Sequence, residues 1–443
     1  MCIVPIIDQR GDLRSKTLLS RLESRSKMDL REVNVRVEEI LSDVKQRGDQ
    51  AVLDYTLRFD QVDLKGSYRI SKEEMDQALE TLDPALKDAL YAAQKNIKSF
   101  HEAQMDTIKD TVLDDGHGKR TMLVHRPLSS VGIYVPGGTA ALPSSVLMNA
   151  IPAKAAAVDR IVMCTPPTKE GKIADVILAA ASMAGVDELY MVGGAQAIAL
   201  LAYGTETVQA VDKITGPGNI YVNAAKRQVF GTVDIDMFAG PSEVLILADE
   251  TADPEFVAAD MLAQAEHDVL ASSVAITPSM ELAKKIQASV DEQTKLRPRR
   301  SIIEEALSEY GAIVVVDDLD IAVEFANQIA PEHLELCMDE TLAHSLLAKI
   351  SHAGAIFIGA YSPEPLGDYY AGPNHVLPTS GTAKFSSPLN CMDFLKKQSI
   401  IEYSKEALLS VASDIVLLAE AEGLDAHAEA IRLRVKKAGE SND

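Results

Sequence analysis

The sequence predicts an α/β protein built from two parallel-sheet units, with additional segments at the two ends of the chain. Eight short runs rich in β-branched residues each lead into a turn and then into a helical stretch, which is typical of parallel strands joined by crossover helices. Between residues 131 and 360 these runs are VGIYV, RIVMC, ELYMV, KIT, EVLILAD, SSVAIT, GAIVVVDD and GAIFIGA. An aromatic content of 5% without Trp favours aliphatic cores, which suit such layers.

The segments outside these runs are predicted to be helical. Residues 29–115 carry apolar residues at three-and-four spacing with charges between them. Ser404 is expected to cap a helix that ends before Gly423, and Asp425 to cap a last helix through Lys437, with no strand in this tail.

The length of the chain, 443 residues, exceeds what one hydrophobic core normally holds. We therefore expect several domains. They are an N-terminal extension (1–28), a first α/β domain (29–133 with 242–389), a second α/β domain (134–241) and a helical C-terminal tail (390–443).

Charge and composition exclude several classes of partner. The net charge of −23 repels phosphate backbones and anionic lipid surfaces, so neither nucleic acid nor a membrane is an expected partner. The start of the chain lacks a secretory pattern, which favours a cytoplasmic enzyme. The four cysteines are isolated, with none at C-x-x-C spacing. A bound metal would therefore need nitrogen and oxygen ligands.

The stretch DMLAQAEHDVL at residues 260–270 places an amide and an imidazole on one helix face. Asp253 and Pro254 predict a helix start, with helix expected through His267. Gln264 and His267 then lie three residues apart and face the same way. An isolated pair of this kind most often belongs to a solvated face.

Three glycine-rich turns follow predicted strands: YVPGG (134–138), VGGAQAI (192–198) and TGPGN (215–219). The last two also precede helices, whose N-terminal amides can bind an anion. The chain lacks a G-x-G-x-x-G fingerprint, and glycine turns are also ordinary α/β connections. Nucleotide binding and plain chain reversal both remain open from these turns alone.

An adjacent carboxylate and imidazole stand in IAPEHLEL, where Pro331 separates a helix from a strand. Glu332 and His333 should project at the edge of the sheet, where they can divide acid–base work between them. Adjacent pairs of this kind are also common on protein surfaces.

Two further histidines have informative neighbours. His375 lies with Asp368 in LGDYYAGPNHVLPTSG, a predicted loop of a length that is usually functional or disordered. Its aromatic and apolar residues argue against disorder. His427 follows Asp425 at the start of the last helix, where the helix dipole favours a neutral imidazole that can bind a metal.

In chain order, the motifs YVPGG, GGAQAI, GPGN, AGPSE, QAEHD, APEHLEL and PLGDYYAGPNHVLPTSGTAKFSSPL resemble those of the histidinol dehydrogenase family. The resemblance runs across nearly the whole chain and is weakest in the first thirty residues. It implies two Rossmann-like α/β/α domains in a homodimer that requires zinc and NAD. It also implies oxidation of L-histidinol through L-histidinal to L-histidine, the last step of histidine biosynthesis.

The same resemblance implies a role for each motif residue. It assigns one zinc ion per subunit to Gln264, His267, Asp368 and His427. It assigns acid–base catalysis to Glu332 and His333, and NAD contacts to Tyr134, Gln196 and Asn219. It assigns substrate contacts to Ser242, His375 and Glu422, together with His333 and the four zinc ligands. The tail that bears Glu422 and His427 is expected to reach the partner subunit, so the two active sites would be shared.

Three other functions are weighed against this one. A paralogue could use the same zinc and NAD on another small alcohol, such as a sulfonated propanediol, although FSSPL and HVLPTSG favour histidinol. A zinc hydrolase would use metal-bound water and would leave the glycine turns without a function. A non-catalytic binding protein would not need the Glu332–His333 pair.

Overall fold

The computed structural model describes residues 2–11, 31–137, 141–238 and 240–440. Most of the expected extension 1–28 and Gly138 of the YVPGG turn lie outside these residues. The chain forms two compact units, of which the first comprises Met1–Met105 with Leu128–Phe394 and the second Asp106–Pro127 with Leu395–Asp443.

Helices make up much of the described chain, as the apolar spacing predicts. They are α1 Arg31–Arg47, α2 Asp49–Asp60, α3 Lys72–Thr81, α4 Pro84–Thr107, α5 Pro143–Ala155, α6 Asp175–Ala184, α7 Gly194–Tyr203, α8 Ile220–Val229, α9 Pro254–Ala265, α10 Met280–Thr294, α11 Arg300–Tyr310, α12 Leu319–Ile329, α13 Glu340–Leu347, α14 Glu364–Tyr369, α15 Lys405–Ala421 and α16 Asp425–Glu440.

The strands include all eight of the predicted runs, which confirms the alternation of strand and helix. They are β1 Ile6–Asp8, β2 Arg69–Ile70, β3 Thr111–Asp114, β4 Lys119–Pro127, β5 Ser130–Tyr134, β6 Arg160–Thr165, β7 Glu188–Met191, β8 Lys213–Thr215, β9 Asp234–Ile235, β10 Glu243–Ala248, β11 Ser272–Thr277, β12 Ala312–Val315, β13 His333–Cys337, β14 Ala355–Ile358 and β15 Leu395–Tyr403.

Sheet A, in the first unit, has six parallel strands in the order β1-β12-β11-β10-β13-β14. Alternate residues of β10 lie in two separate cores. Ile246 lies in the core formed with α9 to α11, and Leu247 lies in the core formed with α12 and α13. Each such fully buried side chain contributes about 1.5–3 kcal/mol. Helices on both faces therefore explain why this strand is apolar throughout.

Sheet B, also in the first unit, has the order β2-β7-β6-β5-β8-β9, and only β2 among these strands runs antiparallel to its neighbour. Helices α1, α2, α7 and α8 share one apolar core on this sheet. Residues between 31 and 134 thus supply two strands and several helices to sheet B.

The association of residues 31–134 with sheet B differs from the expected domain division, which placed residues 29–133 with residues 242–389 of sheet A. Strand β5 covers Ser130–Tyr134, so the expected boundary between residues 133 and 134 falls inside a strand of sheet B. An apolar helix stripe shows that a face is buried, but it does not identify the sheet that covers that face.

The second unit contains a three-stranded antiparallel sheet in the order β15-β4-β3, with α15 packed against α16. The prediction of a tail without strands is therefore wrong. Nearly all side chains of β15 are exposed, so the sequence has no apolar alternation there to indicate a strand. Ser404 does cap α15, since its Oγ accepts the Ala407 N–H at 3.1 Å. Asp425 is the first residue of α16 rather than its cap.

The cysteines match the interpretation of isolated thiols. All four are free; Cys2 is exposed, while Cys164, Cys337 and Cys391 are buried. Among the described residues, no helix is both long enough and apolar enough to cross a membrane.

Candidate active site

The candidate site lies at the amino edge of sheet A. Ser242 precedes β10, and Glu332 immediately precedes β13, whose first residue is His333. The two strands are parallel neighbours with Val244 opposite His333, so all these residues meet at one edge. Ligands in open α/β sheets usually bind at the opposite, carboxyl edge. The chemistry expected at this edge therefore depends on side chains that later elements bring to it.

Helix α9 brings Gln264 to this edge. Asp253 caps the helix by accepting the Glu255 N–H at 2.8 Å, as predicted, but α9 ends at Ala265. His267 lies in the following turn, where its N–H donates to the Gln264 carbonyl at 3.2 Å, so the prediction of helix through His267 is wrong. No glycine or proline marks this end in the sequence.

The burial of this pair decides between the two interpretations of its sequence. Gln264 is completely buried, whereas His267 is exposed. A solvated helix face would leave the amide in water, so the solvated interpretation fails for Gln264.

Asp368 reaches the same edge on α14, in a segment predicted to be an irregular loop. Helix α14 covers Glu364 to Tyr369, and the loop begins after it. Pro365 and Gly367 lower the helix propensity of this turn, which explains why the sequence did not indicate it. The Asp368 carbonyl lies 3.0 Å from Nδ1 of His375, which joins the loop to the helix.

The His333 ring is surrounded by carboxylates. Its Nδ1 lies 3.2 Å from the Glu243 carbonyl oxygen. The same atom lies 3.8 Å from Glu332 Oε2 and 3.9 Å from Glu364 Oε1. Its Nε2 lies 3.8 Å from Asp368 Oδ1, is buried, and has no hydrogen-bond partner within the described ranges. With Nδ1–H donating to the Glu243 carbonyl, the lone pair is on Nε2 and faces the site.

Burial sets the protonation of these groups. It lowers the pKa of His333 to about 4, against the opposing charge of Asp368. It raises the pKa of Glu364 well above its usual value, and nearby acidic groups, Asp368 and Glu332 among them, add to this rise. The imidazole is therefore neutral at pH 7, and the surrounding acidic groups favour a bound cation or retained protons.

Donor atoms of His267, Glu364 and Asp368 all lie within 4.8 Å of one another, close enough to share one metal ion. Glu364 was not predicted from the sequence, although its spacing four residues before Asp368 would have indicated it had the helix been recognised. An amide atom of Gln264 lies 3.3 and 3.2 Å from the two Glu364 oxygens. The Gln264 amide has two possible orientations. Its nitrogen faces Glu364 if the amide donates a hydrogen bond to that carboxylate, whereas its oxygen would have to face a cation bound between the two groups.

These residues fit a zinc ion chemically. Imidazole, carboxylate and amide oxygen are ligands that zinc accepts, and no thiolate is required. Two of the other residues assigned by resemblance lie in the second unit, Glu422 as the C-cap of α15 and His427 in the first turn of α16. In the first unit the Ser242 carbonyl accepts the Ser272 N–H at 3.0 Å.

The three predicted NAD residues lie at the carboxyl edge of sheet B. Tyr134 ends β5, and its hydroxyl accepts the Gly194 N–H at 3.1 Å. Asn219 caps α8 by accepting two amides of its first turn, at 3.0 and 3.1 Å. Gln196 is buried in α7, and its Oε1 has no hydrogen-bond partner in the part of the chain that is described. Strand order reverses between β5 and β8, where nucleotides bind in such sheets.

A buried ion pair holds the turn at this crevice. Gly216 has φ +110°, and an added Cβ would lie 2.1 Å from the Tyr134 carbonyl oxygen. Lys226 Nζ donates to the Gly216 carbonyl at 2.9 Å and pairs with Asp236, which accepts the Gly216 N–H at 2.8 Å. Both charged side chains are almost completely buried, so the pair fixes both polar groups of this glycine.

An adjacent carboxylate and imidazole beside donors that could hold a metal on one parallel sheet, and glycine turns that precede helices on another, are typical of an α/β enzyme. A family model described as histidinol dehydrogenase matches residues 23–435, and the chain belongs to that family. It is accordingly a dehydrogenase.

Individual relatives agree with this assignment. The chain is 54% identical over 373 residues to the histidinol dehydrogenase of Heliobacterium mobile, which covers 84% of this chain and 86% of the relative. It is 54% identical over 370 residues to that of Bacillus subtilis, covering 83% and 85%. A crystal structure of histidinol dehydrogenase from Elizabethkingia anophelis superposes with a TM-score of 0.89 at 36% identity, covering 99% of both chains. The prediction of an α/β fold with parallel-rich sheets is confirmed.

Proposed function

We propose that this enzyme oxidises L-histidinol in two steps, through L-histidinal, to L-histidine, with zinc and NAD as cofactors. The observation that carries the proposal is the buried Nε2 of His333, which faces Asp368 without a hydrogen-bond partner from the described chain. A neutral imidazole aimed at metal-binding carboxylates suits proton removal from a bound alcohol. As a step of amino-acid biosynthesis, the reaction would take place in the cytoplasm.

Gln264, His267, Asp368 and His427 would hold one zinc ion per subunit. When bound, the zinc would orient the substrate through its amine and imidazole nitrogens, and NAD⁺ would supply the acceptor for the hydride of each oxidation. Glu364 would orient Gln264, since the amide atom of Gln264 lies within 3.3 Å of both Glu364 oxygens. Partners in this position fix the geometry of metal ligands.

His333 would act as the base in both oxidations. The Glu243 carbonyl holds Nδ1, so Nε2 is the atom that receives the hydroxyl proton. The imidazolium that forms is stabilised by the neighbouring carboxylates, including Glu332 and Asp368 at 3.8 Å. A positioned base of this kind is worth about 10² to 10⁴ in rate.

Glu332 would activate the water that hydrates the aldehyde between the two oxidations. Its Oε2 accepts the Glu243 N–H at 3.0 Å, which fixes the carboxylate beside His333. A cysteine route through a hemithioacetal lacks an activated thiol. Burial raises the pKa of Cys337 far above its usual value and that of Cys391 to about 12.

Tyr134, Gln196 and Asn219 would contact NAD at the carboxyl edge of sheet B. The buried Gln196 Oε1 is the atom among them that the protein leaves without a hydrogen-bond partner within the described residues. Tyr134 and Asn219 already bind helix N-terminal amides, so they would also shape the helix ends that face the cofactor.

Ser242, His375 and Glu422 would complete the substrate site, with Glu422 and His427 supplied by the partner chain of a homodimer. Exposed apolar side chains of the second unit support such an interface, with Leu113, Ile401 and Leu418 each about two-thirds exposed or more. We propose that each active site is shared between two chains.

Metal analysis combined with an NADH assay tests this function. We expect one zinc per chain and two NADH for each L-histidinol consumed, with far slower turnover of a sulfonated propanediol. No NADH from L-histidinol by zinc-loaded enzyme would overturn the substrate. Metal-dependent hydrolysis without any NAD requirement would support a zinc hydrolase instead.

A further inference from the structure

A second pair of carboxyl groups lies behind the candidate site. Asp260 is on α9, one turn before Gln264, and Glu335 is on β13, two residues after His333 and on the same face of the strand. Their oxygens and the Cys337 thiol lie within 4.8 Å of one another. A hydrogen bond between the two carboxyl groups is among the causes that shift the pKa of each.

The two oxygens of Glu335 have different surroundings. Its Oε1 accepts the N–H of Glu364, the first residue of α14, at 2.7 Å. Its Oε2 is buried, and no amide, hydroxyl or ammonium donor of the described residues reaches it. Glu335 is only 1% exposed, so bulk water does not reach this oxygen. Asp260, with an oxygen within 4.8 Å, can donate the missing hydrogen bond when its carboxyl group is protonated.

The titratable groups that face Glu335 cannot neutralise a negative charge. They are Asp260 on α9, the Cys337 thiol on its own strand and Glu364 on α14. Burial raises the pKa of Asp260 to about 6 and that of Glu335 well above its usual value, and for Glu335 the charge of Asp260 adds to the rise. Two ionised carboxylates at this distance would repel each other strongly.

We propose that Asp260 and Glu335 share one proton, and that the pair is a positioning device that holds α14 over His333. The shared proton joins α9 to β13, and the bond from Glu364 joins β13 to α14. These three elements carry Gln264, His333 and Asp368. Asp260 and Glu335 are positioning residues, since they act through the groups on these elements. The sharing of the proton does not depend on the proposed function. Its effect on a bound metal does rest on the proposed function.

Amide substitutions reproduce the shared-proton state without the proton. In Glu335→Gln the amide oxygen still accepts from Glu364, and the amide nitrogen donates to ionised Asp260. The pair then keeps one negative charge, as in the parent. Asp260→Asn achieves the same from the other side, while Glu335→Leu removes both hydrogen bonds.

Stability against pH tests the shared proton. A carboxyl group whose pKa is raised by folding stabilises the fold below its unfolded pKa, and this stabilisation is lost as pH rises through the folded pKa. The parent should therefore lose stability relative to Glu335→Gln as the pH rises above the unfolded carboxyl pKa of about 4 and through the raised pKa of the pair, as the linkage of one proton requires. Glu255→Gln, an exposed carboxylate on α9, should parallel the parent. If Glu335→Gln also parallels the parent, the shared proton is refuted.

Infrared spectra give an independent signature. The parent at neutral pH should show a protonated-carboxyl carbonyl band that both Glu335→Gln and Asp260→Asn lose. A band that persists unchanged in both variants contradicts the sharing. A second divalent cation, present in the parent and lost in Glu335→Gln, would also overturn it, because a cation would then neutralise the pair.

Zinc retention tests the positioning. Glu335→Gln should keep its zinc, while Glu335→Leu should bind zinc about 10- to 100-fold more weakly, the range for lost support of metal ligands. If Glu335→Leu does not fold, the double variant that combines Glu335→Gln with Asp260→Asn replaces it. Its two amides cannot reproduce the single negative charge of the parent pair. Parent-like zinc affinity in the disrupted variant overturns the positioning role. A parent that binds no zinc refutes the proposed function, while the pH and infrared results still decide the shared proton.

Discussion

Replacement of His333 by asparagine removes the proposed base while keeping a polar side chain of similar reach. We expect both oxidation steps to slow by about 10²- to 10⁴-fold, the usual contribution of a positioned base. Zinc content should stay at the parent level, because His333 is not among the proposed ligands. His344→Asn, an exposed histidine on α13, is the matched control and should keep parent activity.

The same substitution changes the pH dependence of stability in the metal-free chain. Burial lowers the pKa of His333 from 6.5 to about 4, and the side chain is only 4% exposed. The neutral ring therefore stabilises the fold fully above pH 6.5, and this contribution is lost as the pH falls towards 4. A pKa shift of 2.5 corresponds to about 3–4 kcal/mol, at about 1.4 kcal/mol per pKa unit.

Chemical denaturation of metal-free parent and His333→Asn protein between about pH 7 and 4 measures this difference. The parent should lose about 3 kcal/mol more than the variant over this range. Unchanged turnover in His333→Asn would refute the assignment of the base. Identical stability slopes in parent and variant would refute the buried, neutral ring.

Three further outcomes follow from the same contacts. Glu332→Gln should slow oxidation of histidinal more than oxidation of histidinol, and equal losses would refute the division of labour. Lys226→Met should destabilise the fold by about 3–5 kcal/mol in thermal or denaturant unfolding, because it leaves Asp236 buried without its partner; a loss below about 1 kcal/mol would contradict a buried ion pair. Mixing His427→Ala and His333→Asn chains should restore activity to a fraction of the sites, and no recovery in confirmed mixed dimers would mean that each site lies within one chain.

Strand positions were predictable because burial on both faces leaves a direct sequence signal. The run EVLILAD reads as apolar because helices cover both sides of β10, and SSVAIT coincides with β11. Strand β15 has no such signal, since its side chains are almost all exposed. The sheet that α1 and α2 cover was also unpredictable, because an amphipathic stripe does not identify its partner.

The candidate site was predictable only in part. Glu332 and His333 stood out as an adjacent pair, and the structure places them at the edge of sheet A as expected. Glu364 was missed because α14 contains Pro365 and Gly367, which obscure a six-residue helix. The burial of Gln264 depends on the packing of α9 and α14, and no local pattern encodes that.

The proton-sharing pair could not be found from the sequence at all. Asp260 and Glu335 are 75 residues apart, and their proximity results from the packing of α9 on sheet A. Each residue alone reads as an ordinary acidic side chain. The structure supplies the two facts that matter, namely the burial of Glu335 Oε2 and the bond from Oε1 to α14.

The most direct test of the central claim is anomalous diffraction at the zinc edge from crystals of the enzyme grown with L-histidinol. We predict a single zinc peak for each chain, bound by Gln264, His267 and Asp368 of one chain and by His427 of its partner, with the substrate nitrogens completing the coordination. A zinc position away from these side chains, or a peak that only some of the four reach, would contradict the account.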